Sequence, residues 1–119
     1  MAGEEWSEIE ICLAVHFASQ GVYHRVIAEM FAARGFNRTK VSVDGKLRAI
    51  QIKHPNLGSQ RHWNSHASGQ WVRTRLRENN ISENVLLLTS EDWRTLSQSQ
   101  PDLCHLQPLE RPSTFCDEA

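Results

Sequence analysis

With 119 residues, 39% of them hydrophobic and 23% charged, the chain has material for one domain with a modest core, too small to enclose a deep substrate pocket. No run of about 18 apolar residues appears, so no membrane span is expected, and the acidic opening Met1-Ala2-Gly3-Glu4-Glu5 has no apolar stretch to serve as a secretion signal. The net charge of −1 hides a segregation: residues 1–33 carry five acids against Arg25, residues 34–77 carry ten Lys/Arg against Asp44, and residues 78–119 carry eight acids against Arg94 and Arg111.

A basic middle between acidic ends is the electrostatic pattern of a nucleic-acid face. The competing reading is a solvated surface whose acids fold back onto its bases. Three cysteines at wide spacing, Cys12, Cys104 and Cys116, are an odd number and point to free thiols in a reducing, intracellular setting.

The first predicted element is a helix over 6–19, with Trp6, Ile9, Leu13 and Phe17 as one apolar stripe. Glu4, Glu5, Glu8 and Glu10 crowd its positive end, and Gln20-Gly21 stops it. A second helix follows from Tyr23 to Arg34, striped by Val22, Val26, Ile27, Met30 and Phe31 and ended by Gly35. The short link makes these two helices packing neighbours. Asn37 or Thr39 caps a third helix that runs to about Lys53, where His54-Pro55 breaks it. Val43, Leu47 and Ile50 face the first two helices, while Lys40, Ser42, Asp44, Gly45, Lys46, Arg48, Ala49, Gln51 and Lys53 are displayed.

Residues 55–69 read as a polar, turn-rich linker. A short basic helix follows over 70–78, with Trp71, Val72 and Leu76 on one side and Arg73 and Arg77 sharing another, Arg75 pointing away. Ser82-Glu83-Asn84 caps the stretch Val85 to Leu88, read as helical because a lone strand has nothing to pair with. Thr89 to Asp92 opens a last helix with Trp93 and Leu96, and 99–119, rich in proline and acids, is read as a disordered tail. Trp63 and Trp71 are taken as core or lid residues, since a small second cluster needs large side chains.

Four features in order carry a resemblance: Trp6-Ser7-x-x-Glu10, the Gly21 turn, Ile27-Ala28, and Arg38-Thr39-x-x-x-Val43-x-x-x-Leu47. Residues 5–54 thereby resemble a Myb/SANT-type helix-turn-helix of the homeodomain-like class. The fold expected from the whole is all-α, a three-helix Myb-like helix-turn-helix with a C-terminal helical extension over 70–98. The resemblance implies that the third helix lies in the DNA major groove, that Trp6, Phe17 and Leu47 share the core, and that Asp44, Gly45, Arg48 and Ala49 stand at base-reading positions. Typical members carry lysine and asparagine where Asp44 and Gly45 stand, and a third tryptophan where Leu47 stands, so any sequence preference differs from that of a standard Myb site.

The physical chemistry of the third helix points the same way. Arg38, Lys40, Lys46, Arg48 and Lys53 suit phosphates; Thr39, Ser42, Asp44, Arg48 and Gln51 suit base edges. Six phosphate contacts would give a salt slope near −5, about 0.9 per contact. Arg73 and Arg77 would widen the footprint along the DNA backbone. No cofactor is expected, and no metal: His62-x-x-x-His66 has helical ligand spacing but sits in a Ser/Asn/Gly stretch, and Cys104-His105 and Cys116 include no close pair. No nucleophile with a base, phosphate-cradling loop or paired carboxylates is recognisable, so catalysis is not expected.

The expected function is that of a nuclear transcription or chromatin regulator on double-stranded DNA, either part of a larger regulator or an adaptor. The acidic first helix, the extension or the tail could meet protein partners. The rival is a SANT-like module binding a chromatin tail or partner subunit, which the five cations against one acid over 38–53 disfavour.

Overall fold

Glu8–Ser19 forms α1 of a computed structural model that describes residues 5–60 and 62–101. Its start is a reciprocal cap: the Ser7 hydroxyl accepts from the Glu10 amide at 3.3 Å, and the Ser7 amide donates to Glu10 Oε1 at 2.9 Å. The single apolar stripe expected of this helix is too narrow a description. Every residue from Ile11 to Val15 is buried, with Phe17 and Ala18 beyond. A helix apolar on all sides needs cover on all sides, and α1 is covered by α2 (His24–Ala33) and, more extensively, by α4 (Ser65–Glu78).

Helix α3 (Lys40–Lys53) is capped by Thr39, whose hydroxyl accepts from the Ser42 amide at 3.1 Å, which resolves the choice between Asn37 and Thr39. It packs mainly on α2 and on the segment that follows it. That segment, expected to be an irregular linker, is ordered: a 3₁₀ turn at Pro55–Leu57 leads into a two-stranded antiparallel hairpin, β1 (Gly58–Ser59) and β2 (His62–Trp63). Gly58 has φ 120°, and a Cβ there would stand 1.9 Å from the His62 carbonyl oxygen, so no side chain fits. Asn64 then caps α4 by accepting from the Ala67 amide at 2.9 Å, which starts the helix at Ser65 rather than near 70.

Val85 to Leu88 is not an α-helix. Glu83–Leu86 makes one 3₁₀ turn under a Ser82 cap, and Leu86 and Leu88 drop into the core. α5 (Ser90–Ser99) begins with a second reciprocal cap, between Thr89 and Asp92, and packs on α2. At its end, the Gln100 side chain accepts from the Tyr23 amide at 2.8 Å and donates to the Gly21 carbonyl at 3.2 Å, clasping the α1–α2 turn.

The described residues are thus mostly helical, with five α-helices and one small hairpin. Leu13, Phe17, Ile27, Phe31, Leu47, Leu57, Val72, Leu76 and Leu96 belong to one buried cluster that draws on every α-helix. No helix among the described residues is long and apolar enough to cross a membrane. The tail expected to be disordered falls from 102 onward outside the described residues, as do Cys104, His105 and Cys116.

Candidate nucleic-acid interface

The charge pattern of the sequence resolves into two populations of cations. One population is internal. Arg38 Nε donates to Glu10 Oε2 at 2.6 Å and its Nη2 to the Glu5 carbonyl at 2.8 Å, with the guanidinium 4.9 Å from the centre of the Trp6 ring. Arg34, at the end of α2, holds the buried Asp92 at 2.5 Å and reaches the Val85 and Leu87 carbonyls. Arg75, expected to point away, grips both carboxylate oxygens of Glu8 at 3.0 and 2.8 Å and lies over Trp71. The acidic flanks therefore do fold back onto the basic middle, at the joints between helices.

Burial pushes the Glu10 carboxyl up, but hydrogen bonds from Arg38 and Ser7 outweigh it and hold the group below its ordinary value. The Arg38 and Glu10 side chains are only 8% and 7% exposed. Arg38 therefore leaves the set of side chains that could meet a phosphate. Gln51, expected on display as a base-edge residue, is instead 7% exposed on the inner side of α3, and its buried Nε2 has no hydrogen-bond partner. The i, i+4 step from Leu47 to Gln51 puts it on the core stripe, which a polar residue type had obscured.

The second population faces solvent. Arg48 and Lys53 are exposed and Lys46 half-buried; none of the three makes an ion pair with a described residue. Lys40 is exposed and bonded to Asp44 at 3.0 Å. Asp44 also meets His24 Nδ1 at 2.5 Å. Burial raises its carboxyl, and the His24 and Lys40 hydrogen bonds more than reverse that, so Asp44 stays ionised and largely committed to its neighbours. Thr39 is occupied as the cap, Ser42 is half-buried, and Gly45 and Ala49 are open to solvent.

Two exposed residues of α3 were absent from the expected display: Val41 and Ile52, at 76% and 70% exposure. The helical period alone places them opposite Val43, Leu47 and Ile50, so the signal was in the spacing. Ile52 and Arg48 also edge a groove of about 1130 Å³, which runs past the α1–α2 turn (Val22, Tyr23) and Arg25 of α2 to Trp63 of the hairpin.

Arg73 and Arg77 are exposed on α4, which packs mainly on α1 and shares the Pro55–Leu57 turn with α3 as a common neighbour. Arg73 lies 3.7 Å from Glu83. Cys12 is fully buried, and burial pushes its thiol up to about 11, the opposite of an activated nucleophile. Among the described residues no three His, Cys, Asp or Glu side chains stand close enough to hold a metal ion.

Compared with known proteins, the chain matches no family model, no curated protein and no solved structure.

Proposed function

We propose that the chain binds double-stranded DNA by laying the outer side of α3 in the major groove, as a Myb-like helix-turn-helix would, and that it serves transcription or chromatin regulation in the nucleus. One observation carries this reading. Arg48 and Lys53 are exposed on a helix whose other side is anchored in the core, Lys46 stands half-buried at the edge of that side, and no carboxylate of the described residues neutralises the three. Side chains of that kind suit a polyanion, because phosphate contacts release condensed counterions. With Lys40, they would give a salt slope of about −3.6, at about 0.9 per contact, shallower than six contacts would allow.

A titration of random-sequence duplex at two salt concentrations tests it. Tight binding at low salt that weakens with about that slope supports the reading; no affinity at low salt removes it. Arg48→Glu should abolish binding with the helical circular dichroism intact.

The exposure of Val41 and Ile52 favours a second reading, a protein-interaction module of the SANT kind, whose partner would cover an apolar helix face. Such a complex would be only weakly salt-dependent, and Arg48→Glu would disturb it less than Ile52→Glu.

A further inference from the structure

The outermost line of α3 is set by helical spacing. Val41, Gly45, Arg48, Ala49 and Ile52 follow one another at i, i+4, i+7, i+8 and i+11, on the side opposite the buried Val43, Leu47 and Ile50. The profile along this line is uneven. Bulky aliphatic side chains stand at both ends, at 76% and 70% exposure, and the middle holds a glycine, an alanine and one cation. Nothing in the fold explains the glycine, because a Cβ added at Gly45 would meet no atom within 4 Å. A helix interior ordinarily disfavours such a residue. At a surface it does one thing well, which is to let another body come close.

We propose that Val41 and Ile52 recognise the C5 methyl groups of thymine in the major groove, with Gly45 and Ala49 letting the helix sink between them. This rests on the DNA reading above and adds the class of site, one with thymines at two separated positions. The chemistry is selective because the thymine methyl is the apolar feature of an otherwise polar groove edge, and aliphatic side chains pair with it. The scale fits as well: Val41 and Ile52 are three helical turns apart, about 16 Å along the axis at about 1.5 Å per residue. That matches roughly five base-pair steps at about 3.4 Å each. Arg48 stands between the two aliphatic ends, where it can meet a guanine or a phosphate. Lys46 and Lys53 lie to one side of the line and suit the adjoining phosphates.

The test removes only the methyl groups. Binding at low salt is measured to a short alternating dA·dT duplex and to the same duplex with deoxyuridine in place of thymidine, using the wild-type chain and the V41A/I52A variant. Both side chains are exposed and alanine is the stronger helix former, so the variant should keep its fold, which a thermal melt verifies. Burial of one methyl is worth about fourfold in affinity, so loss of two should weaken wild-type binding on the order of tenfold. The variant should bind both duplexes alike, at the level of wild type on deoxyuridine. Equal wild-type affinity for the two duplexes overturns the methyl inference and leaves the DNA reading standing. A thymine preference that survives in V41A/I52A also overturns it, since the preference then belongs to duplex shape. Failure to bind either duplex removes the DNA reading and this inference together.

Discussion

Arg38 and Arg48 both belong to the basic middle of the chain, yet the fold uses them in opposite ways. Arg38 turns inward to both Glu10 oxygens, at 2.6 and 3.1 Å, while Arg48 stays in solvent. Arg38→Ala would leave a buried carboxylate without its cation, a change that costs about 3 kcal/mol. The urea midpoint should fall accordingly, whereas Arg48→Ala should leave it unmoved. The same pair sets an acid dependence. Because the folded Glu10 value lies below the ordinary 4.5, the stabilisation is complete above that pH and is lost as acid titrates the folded carboxyl. Between neutral pH and pH 3, the wild type should therefore lose more stability than Glu10→Gln. Equal losses would show that the pair contributes nothing. Residue type in the sequence announced a cation at 38; which way it pointed depended on Glu10, 28 positions earlier, and on the Trp6 ring beside it.

At the scale of the element, α3 keeps a glycine in its exposed interior. Gly45→Ala meets no atom within 4 Å and removes a backbone entropy cost, so it should stabilise the fold by about 1 kcal/mol, read as a higher melting temperature. If close approach to a duplex is what Gly45 is for, the same variant should bind less tightly. The helices were largely legible in their caps and stops: Thr39, Gly21, Gly35 and the His54-Pro55 break act where local chemistry places them, whereas the helix expected from residue 6 starts at Glu8 because Ser7 is its cap, paired with Glu10. What was not legible was cover. The stripe of Trp6, Ile9, Leu13 and Phe17 described one side of α1 and left out Ala14 and Val15, whose side of the helix is covered by α4, some fifty residues later. The hairpin escaped because two-residue strands leave no alternation to detect, and its tight Gly58 resembles any loop glycine. On the candidate interface, the cations of α3 were legible from composition. Gln51 is polar on the buried phase of α3 and Val41 and Ile52 are apolar on its exposed phase, so residue type and helical phase disagree at all three.

For the whole molecule, the single buried cluster decides what can stand alone. Val72 and Leu76 of α4 and Leu96 of α5 share it with Leu13 and Phe31. A chain ending after Asn64 would expose one side of α1 and should fail to melt cooperatively, giving weak near-ultraviolet dichroism. A sharp transition from that truncated chain would show that the first three helices suffice. The ion pairs at the joints act at the same scale. Arg34–Asp92 ties α2 to α5, and Glu8–Arg75 ties α1 to α4, so charge that looked available for a partner is spent on holding the helices in place.

The central position of α1 also bears on how the protein is made. This helix leaves the ribosome before the other described helices, but the neighbour that shields much of it is encoded more than fifty codons downstream. Throughout that interval the nascent chain carries a greasy rod with half its covering still untranslated, which is the kind of segment that chaperones grasp.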